Sequence, residues 1–299
     1  MVFDPSEVLR PSSIQDAVEA LELPDSRIVA GNTTLYSLSR KGNLDQVKSL
    51  IDISRLDLSY VREEQQRQDS GETSEKKNIL VGAGTTFKEL TSSPLLIGHP
   101  EYAGLIEALQ LSPPQIRNVA TIGGSICSAV SFYDVPVMLM ALGANLKFFS
   151  KKEGEHFVSI DSFFQNLSRN EKSLLVECQL QVTPNSASSF VKLCRRMSGY
   201  AVVMVAAKVK LDRSGKKIDD IHVAIGAMTK TPQRLYQLEE SFRHIEPSIT
   251  TITKLCETDA SLIGEILPSV HASREYKKQV LPALLKQSIT SAVERAREK

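Results

Sequence analysis

The sequence predicts an α+β protein of three units, and three observations carry that prediction. Helix-spaced and strand-like apolar runs alternate over residues 1–57; further strands and helices over 58–183 surround a paired glycine, Gly123-Gly124; and long valine- and isoleucine-rich runs followed by helical patterns mark a unit over 188–299. Each pattern supplies one apolar face per element, which packed layers then bury. A chain of 299 residues that is 41% hydrophobic and 24% charged is large enough for two or three such cores. Its net charge of +1 gives no electrostatic reason to expect nucleic acid or an anionic membrane as a partner.

In the first unit, Ser12 or Ser13 caps a helix whose apolar positions are Ile14, Ala17, Val18 and Leu21, with Asp16 in its first turn. Pro24-Asp25 ends that helix, and a short strand at 27–30 runs into Gly31-Asn32-Thr33-Thr34. Apolar spacing then resumes at Leu35 and Leu38 in a short helix reaching Arg40, and a strand at 50–53 follows. The turn at 31–34 presents successive N–H donors, Asn32 tolerates positive φ, and two threonines add hydroxyls. Such a nest holds an anion without a lysine.

The second unit opens at 61–78 with a polar, charged segment that cannot bury a core, so it reads as an exposed loop or hairpin extension. A strand at 78–81 leads to Gly82-Ala83-Gly84-Thr85-Thr86-Phe87, which mimics a dinucleotide fingerprint. Phe87 replaces the third glycine and no suitably spaced acidic residue follows, so we read a strand ending at a capped helix, 87–90. A helix at 102–111 precedes Asn118-Val119-Ala120-Thr121-Ile122-Gly123-Gly124-Ser125-Ile126-Cys127. Glycines leave the main chain open to close approach, which suits a phosphate or pyrophosphate. Asp134 opens a helix at 135–142 that Gly143 terminates, and an aspartate there can also serve as a cap. Strands at 144–149 and 174–182 follow, with Phe157, Ile160, Phe163 and Phe164 assigned to the core between them.

Pro184-Asn185-Ser186-Ala187-Ser188-Ser189 has the composition of a linker. Beyond it come a strand at 190–196, paired strands at 200–211 and 218–228, and helices at 235–245, 249–257 and 273–297, the last interrupted at Pro282.

Taken singly, each glycine stretch is compatible with a plain turn or bulge; two of them with Asp134 close behind favour a nucleotide cofactor. The residues Ile28-Val29-Ala30-Gly31-Asn32-Thr33-Thr34-Leu35 and Arg117-Asn118-Val119-Ala120-Thr121-Ile122-Gly123-Gly124-Ser125 resemble the two FAD-contacting loops of the molybdenum hydroxylase flavoproteins, the medium subunits of xanthine and carbon monoxide dehydrogenases. Family-like segments recur at Leu174–Glu177, Phe190–Arg196, Gly226–Arg234 and Ala272–Lys278, so the resemblance spans nearly the whole chain. It implies an FAD fold of two subdomains, of the vanillyl-alcohol-oxidase type, followed by a C-terminal domain with a small antiparallel sheet and helices. It implies that Ile28 to Leu35 and Thr121 to Ser125 bind pyrophosphate and ribityl groups. Asp134 and Lys192 would position the cofactor's polar end, while Leu111 and Leu175 border its ring. Ser125 stands where the family usually has asparagine, and Phe132-Tyr133 where smaller residues often precede the aspartate.

No Ser–His–Asp or Cys–His arrangement stands out, and the histidines at 99, 156, 222, 244 and 271 lack ligand spacing. Cysteines 127, 178, 194 and 256 have no CxxC or iron–sulfur spacing and read as buried apolar residues or free thiols. No side chain is assigned as acid, base or metal ligand, so the chemistry belongs to the cofactor. The resemblance implies electron transfer from [2Fe-2S] clusters of a small subunit, beside a molybdopterin large subunit, through FAD to NAD or another acceptor, in a dimer of heterotrimers. Two alternatives stay open: a self-contained FAD oxidoreductase acting on a small substrate, and a flavin-free scaffold. The start of the chain has no signal-peptide pattern and the longest apolar run is too short for a membrane span, so a cytoplasmic protein is expected.

Overall fold

The computed structural model describes residues 5–67, 73–196, 199–257 and 263–298. The N-terminal expectation therefore falls partly, at 1–4, outside the described residues, as does the 68–72 part of the polar segment.

The first layer is a parallel three-stranded sheet, order β1-β3-β2, formed by β1 (Glu7–Leu9), β2 (Ser26–Val29) and β3 (Ser49–Asp52), with α1 (Ile14–Leu21) and α2 (Thr33–Arg40) as connections. Of the two candidate caps, Ser13 caps α1, its hydroxyl accepting from the Asp16 N–H at 3.0 Å. Ala17, Val18 and Leu21 then bury one face of α1 against Ile51 and Ile53, as the helical spacing predicts.

The second layer is a five-stranded antiparallel sheet, order β4-β5-β8-β6-β7. Its strands are β4 (Val61–Arg67), β5 (Thr73–Gly82), β6 (Asn145–Ser150), β7 (Gly154–Ser159) and β8 (Ser173–Gln181). The polar segment is thus the hairpin of the two alternatives, β4 pairing with β5 at the sheet edge. Five helices cover this layer before β6: α3 (Phe87–Thr91), α4 (Ala103–Gln110), α5 (Pro114–Arg117), α6 (Ile122–Cys127) and α7 (Asp134–Leu142). A short α8 (Ile160–Gln165) follows β7. Thr86 and Glu89 form a reciprocal capping box on α3, which confirms the strand-to-capped-helix reading there. Phe157 corrects the expected core: it lies on edge strand β7 and is 50% exposed, whereas Ile160, Phe163 and Phe164 are buried. Alternation on an edge strand turns every second side chain outward.

The C-terminal unit is an antiparallel sheet, order β12-β11-β10-β9, made of β9 (Ser186–Cys194), β10 (Ala201–Leu211), β11 (Ile218–Gly226) and β12 (Gln233–Arg234). It carries α9 (Tyr236–Phe242), α10 (Ile249–Cys256) and α11 (Arg274–Arg297). Two expectations are corrected here. Residues 186–189 are buried strand rather than linker, because their hydroxyls find partners: Ser188 Oγ donates to the Glu101 carbonyl at 2.6 Å and accepts from the Gly104 N–H at 3.0 Å, and Ser189 Oγ donates to the Ser288 carbonyl at 2.6 Å. Helix α11 runs unbroken through Pro282, since Leu281, Leu284, Leu285 and Ile289 bury its face and offset the missing N–H.

Helix α7 joins the units. Every residue from Val135 to Leu142 is buried, as befits a helix that is apolar all round, and it packs against β10 and β11 as well as α4 and α6. Gly143, at φ 70°, ends it in the left-handed region. Among the described residues no helix is long and apolar enough to cross a membrane.

Candidate cofactor site

A cleft of about 900 Å³ lies between the first layer, the α6–α7 segment, β8 and β9. That volume is at the upper end of small-molecule sites. It is lined by Ile28, Ala30 to Leu35, Leu111, Thr121, Gly123 to Ser125, Asp134, Leu175 and Lys192. Of the residues singled out in the sequence, Val29 and Ile122 do not line it. Val29 belongs to β2, where its carbonyl accepts from the Ile53 N–H, and Ile122, the first residue of α6, is fully buried.

At one wall, β2 delivers the chain to the start of α2. Asn32 adopts φ 58°, the left-handed conformation its side chain tolerates, and does not cap the helix with that side chain. The amides of Thr33, Thr34 and Leu35 precede the first intrahelical bond, Tyr36 N–H to the Asn32 carbonyl at 2.9 Å. They give this wall a positive helix end suited to an anionic group. Gly31 is required by a neighbour: a Cβ here would run into the Val119 carbonyl of the second glycine segment.

The second glycine segment differs from its expected form. Gly123-Gly124 is not an open nest but the first turn of α6, and its amides have partners within the chain. Ile122 donates to the Thr85 carbonyl, Gly123 to the Ala83 carbonyl, and Gly124 to Thr121 Oγ1 at 3.1 Å, while Ser125 donates to the Thr121 carbonyl. The glycines serve close packing, since a Cβ on Gly123 would sit 2.7 Å from the Ala83 carbonyl oxygen. Gly124 is exposed on the cleft side, so it offers a bare main-chain surface there. Thr34 Oγ1 shares a hydrogen bond with the Tyr133 hydroxyl at 3.0 Å and lies 3.1 Å from Ser128 Oγ, which ties the two segments together.

Asp134, in the first turn of α7, receives a hydrogen bond on Oδ2 from Lys192 Nζ of β9 at 2.8 Å. Only 11% of the Asp134 side chain and 6% of that of Lys192 are exposed. Burial pushes the Asp134 carboxyl above its ordinary value against the opposing pull of Lys192. Its other oxygen, Oδ1, is buried without a hydrogen-bond partner. A buried acceptor left open beside a cleft is where a ligand donor belongs, so the residues present fit a polar cofactor. Sequence reasoning did not select Ser128, Tyr133 or Tyr200 as lining residues; their hydroxyls and rings reach the cleft only through loops that local pattern does not place.

Residues 3–180 match the family described as the FAD binding domain in molybdopterin dehydrogenase, and residues 188–292 match the carbon monoxide dehydrogenase flavoprotein C-terminal domain. The chain belongs to this family of oxidoreductase subunits and is of its FAD-binding, medium-subunit type. It is 25% identical over 302 residues to the xanthine dehydrogenase FAD-binding subunit of Escherichia coli O157:H7, covering 98% of this chain and 97% of that one. It is 26% identical over 288 residues to the glyceraldehyde dehydrogenase medium chain of Sulfolobus acidocaldarius, covering 92% and 94%. The structure of carbon monoxide dehydrogenase from Hydrogenophaga pseudoflava has the same fold, with a TM-score of 0.86 at 24% identity over 99% of each chain.

Proposed function

We propose that this chain is the electron-transfer subunit of a multi-subunit molybdenum hydroxylase, placed between [2Fe-2S] clusters of a small subunit and NAD or another acceptor. A large subunit would oxidise the substrate at molybdopterin, and the assembly would be a cytoplasmic dimer of heterotrimers. FAD, when bound, supplies exchange between one-electron donors and a two-electron acceptor. The start of α2 would hold the pyrophosphate through the amides of Thr33 to Leu35, with Ile28, Ala30, Thr121 and Gly123 to Ser125 shaping the walls. Lys192 and Asp134 would fix the cofactor's polar end, Asp134 Oδ1 accepting the hydrogen bond it lacks within the chain. Leu111 and Leu175 would border the ring and exclude water.

The observation that carries this reading is the unpartnered Asp134 Oδ1 in the wall of a cleft that also contains an uncapped helix start. Support for the multi-subunit setting comes from the relatives, which are named as subunits or medium chains of dehydrogenases. The test is an absorbance spectrum of the purified chain followed by anaerobic titration with NADH. A flavin spectrum bleached by NADH is the expected result. Flavin unmoved by NADH would transfer the acceptor role to another molecule, and no flavin after reconstitution with FAD would overturn the proposal.

A further inference from the structure

We propose that Lys277 is a positioning residue for the cofactor site: its buried side chain holds Ala227 in a left-handed backbone conformation, and the Ala227 N–H in turn fixes the turn that delivers Asp134 to the cleft. The role of Asp134 rests on the FAD reading above. Lys277 lies near the N-terminal end of α11 and is 2% exposed. A helix dipole disfavours a cation there. Burial alone holds its ammonium below the ordinary value, with no carboxylate opposing that shift among the described residues. Its Nζ donates instead to two carbonyls, of Ala227 at 2.6 Å and of Leu267 at 2.8 Å. The Met228 carbonyl accepts from the Leu267 N–H at 2.7 Å, so the lysine head closes a seam between the end of β11 and residue 267. An apolar side chain would fill the same space without the cost of desolvating a charge. What the ammonium adds is direction, because it fixes where the Ala227 carbonyl points.

Ala227 needs that hold. Its φ is 61°, a region that strains a residue with a side chain and that only surrounding contacts maintain. From this conformation its N–H donates to the Ser131 carbonyl at 2.7 Å, across the contact between the C-terminal sheet and the segment joining α6 to α7. Residues 130–133 form a turn closed by the Tyr133 N–H on the Val130 carbonyl at 3.1 Å. The Ser131 carbonyl belongs to the central peptide of that turn, the group whose flip separates type I from type II. Phe132 does not take the positive φ that type II demands of its third residue, so the Ala227 N–H holds the central peptide in the other orientation. Gly226 lets the two chains meet, since a Cβ there would run into Val137 of α7. Asp134 follows the turn directly as the first residue of α7, with its Oδ1 open to the cleft. A flipped turn would re-aim that oxygen.

The test uses the full chain loaded with FAD and follows the rate of FAD release. Lys277→Met fills the space without donors and should release FAD about 3–10-fold faster than wild type, the range that one hydrogen bond to the cofactor supplies. Glycine enters the left-handed region unaided, so adding Ala227→Gly to Lys277→Met should recover most of that loss. A second pair tests whether the effect passes through Asp134. In an Asp134→Asn background, where the carboxylate is already gone, Lys277→Met should change release by less than about 2-fold. Effects of Lys277 and Asp134 that simply add, or a loss that Ala227→Gly does not relieve, would show that the lysine acts on stability alone and would overturn the positioning role. If Lys277→Met does not fold by itself, recovery of a folded, FAD-holding chain with Ala227→Gly supports the proposal, and failure of both variants to fold overturns it. If wild type holds FAD and Lys277→Met releases it at the same rate, the positioning role is wrong while the FAD reading stands. A wild-type chain that retains no FAD removes both.

Discussion

Lys192 and Asp134 neutralise each other at 2.8 Å in a site that excludes most water, so neither charge can be deleted alone without stranding the other. Lys192→Met should cost about 3–5 kcal/mol in urea unfolding, the usual penalty for breaking a buried pair. The double variant Lys192→Met with Asp134→Leu should recover most of that loss, and failure to recover would show that the pair is not the cause. Asp220 makes the opposite kind of site. A hydrogen bond from His222 lowers its carboxyl from 3.8 to about 2, with help from Arg243. A depressed carboxylate stabilises the fold above its ordinary value and loses that contribution as pH falls through the folded value. The stability difference between wild type and Asp220→Asn should therefore begin to shrink as pH falls below ~5 and vanish only near pH ~1, below both the ordinary and the folded value. A difference that does not change across that window would remove His222 as its origin.

At the scale of elements, β9 shows how tertiary context overrides composition. Its serine-rich start reads as a linker, yet the Ser188 and Ser189 hydroxyls have partners on the 100–104 turn and on α11, the Ser186 hydroxyl donates to the Thr183 carbonyl at 2.7 Å, and the Ser188 carbonyl accepts from Arg295 at 2.8 Å. Ser188→Ala would leave the buried Gly104 N–H without an acceptor and should cost about 1–3 kcal/mol, checked by chemical denaturation. A neutral effect would mean that the amide finds another partner. Helix α11 makes the same point with Pro282, where burial of one face against β9 and β10 outweighs a local helix breaker. In contrast, α1, α3 and α7 were legible from the sequence, because their signals, Ser13, the Thr86–Glu89 box and Gly143, act within one or two turns.

Across the whole molecule, the cleft draws on all three units: α2 from the first layer, α6, α7 and β8 from the second, and Lys192 and Tyr200 from the C-terminal sheet. A cofactor bound there would stabilise the units jointly. FAD at ~100 times its dissociation constant should raise the free energy of unfolding by about 2.7 kcal/mol. In a thermal scan the expected outcome is a single transition moved upward. A shift confined to one of two transitions would place the cofactor on one unit alone.

The α+β class, the two glycine segments and Asp134 were determined by the sequence itself, since backbone conformation, capping and close approach depend on neighbours a few residues away. Only the tertiary structure decided what the glycines do. Gly31 makes room for the Val119 carbonyl and Gly123 for the Ala83 carbonyl, contacts between segments about 90 and 40 residues apart that no local pattern encodes. It likewise decided that Lys192 is buried against Asp134, and that Tyr200 meets Phe132. Long-range packing sets the solvent exposure and the partner of a charge or a ring, and those two quantities turn a lysine and a tyrosine into parts of a site.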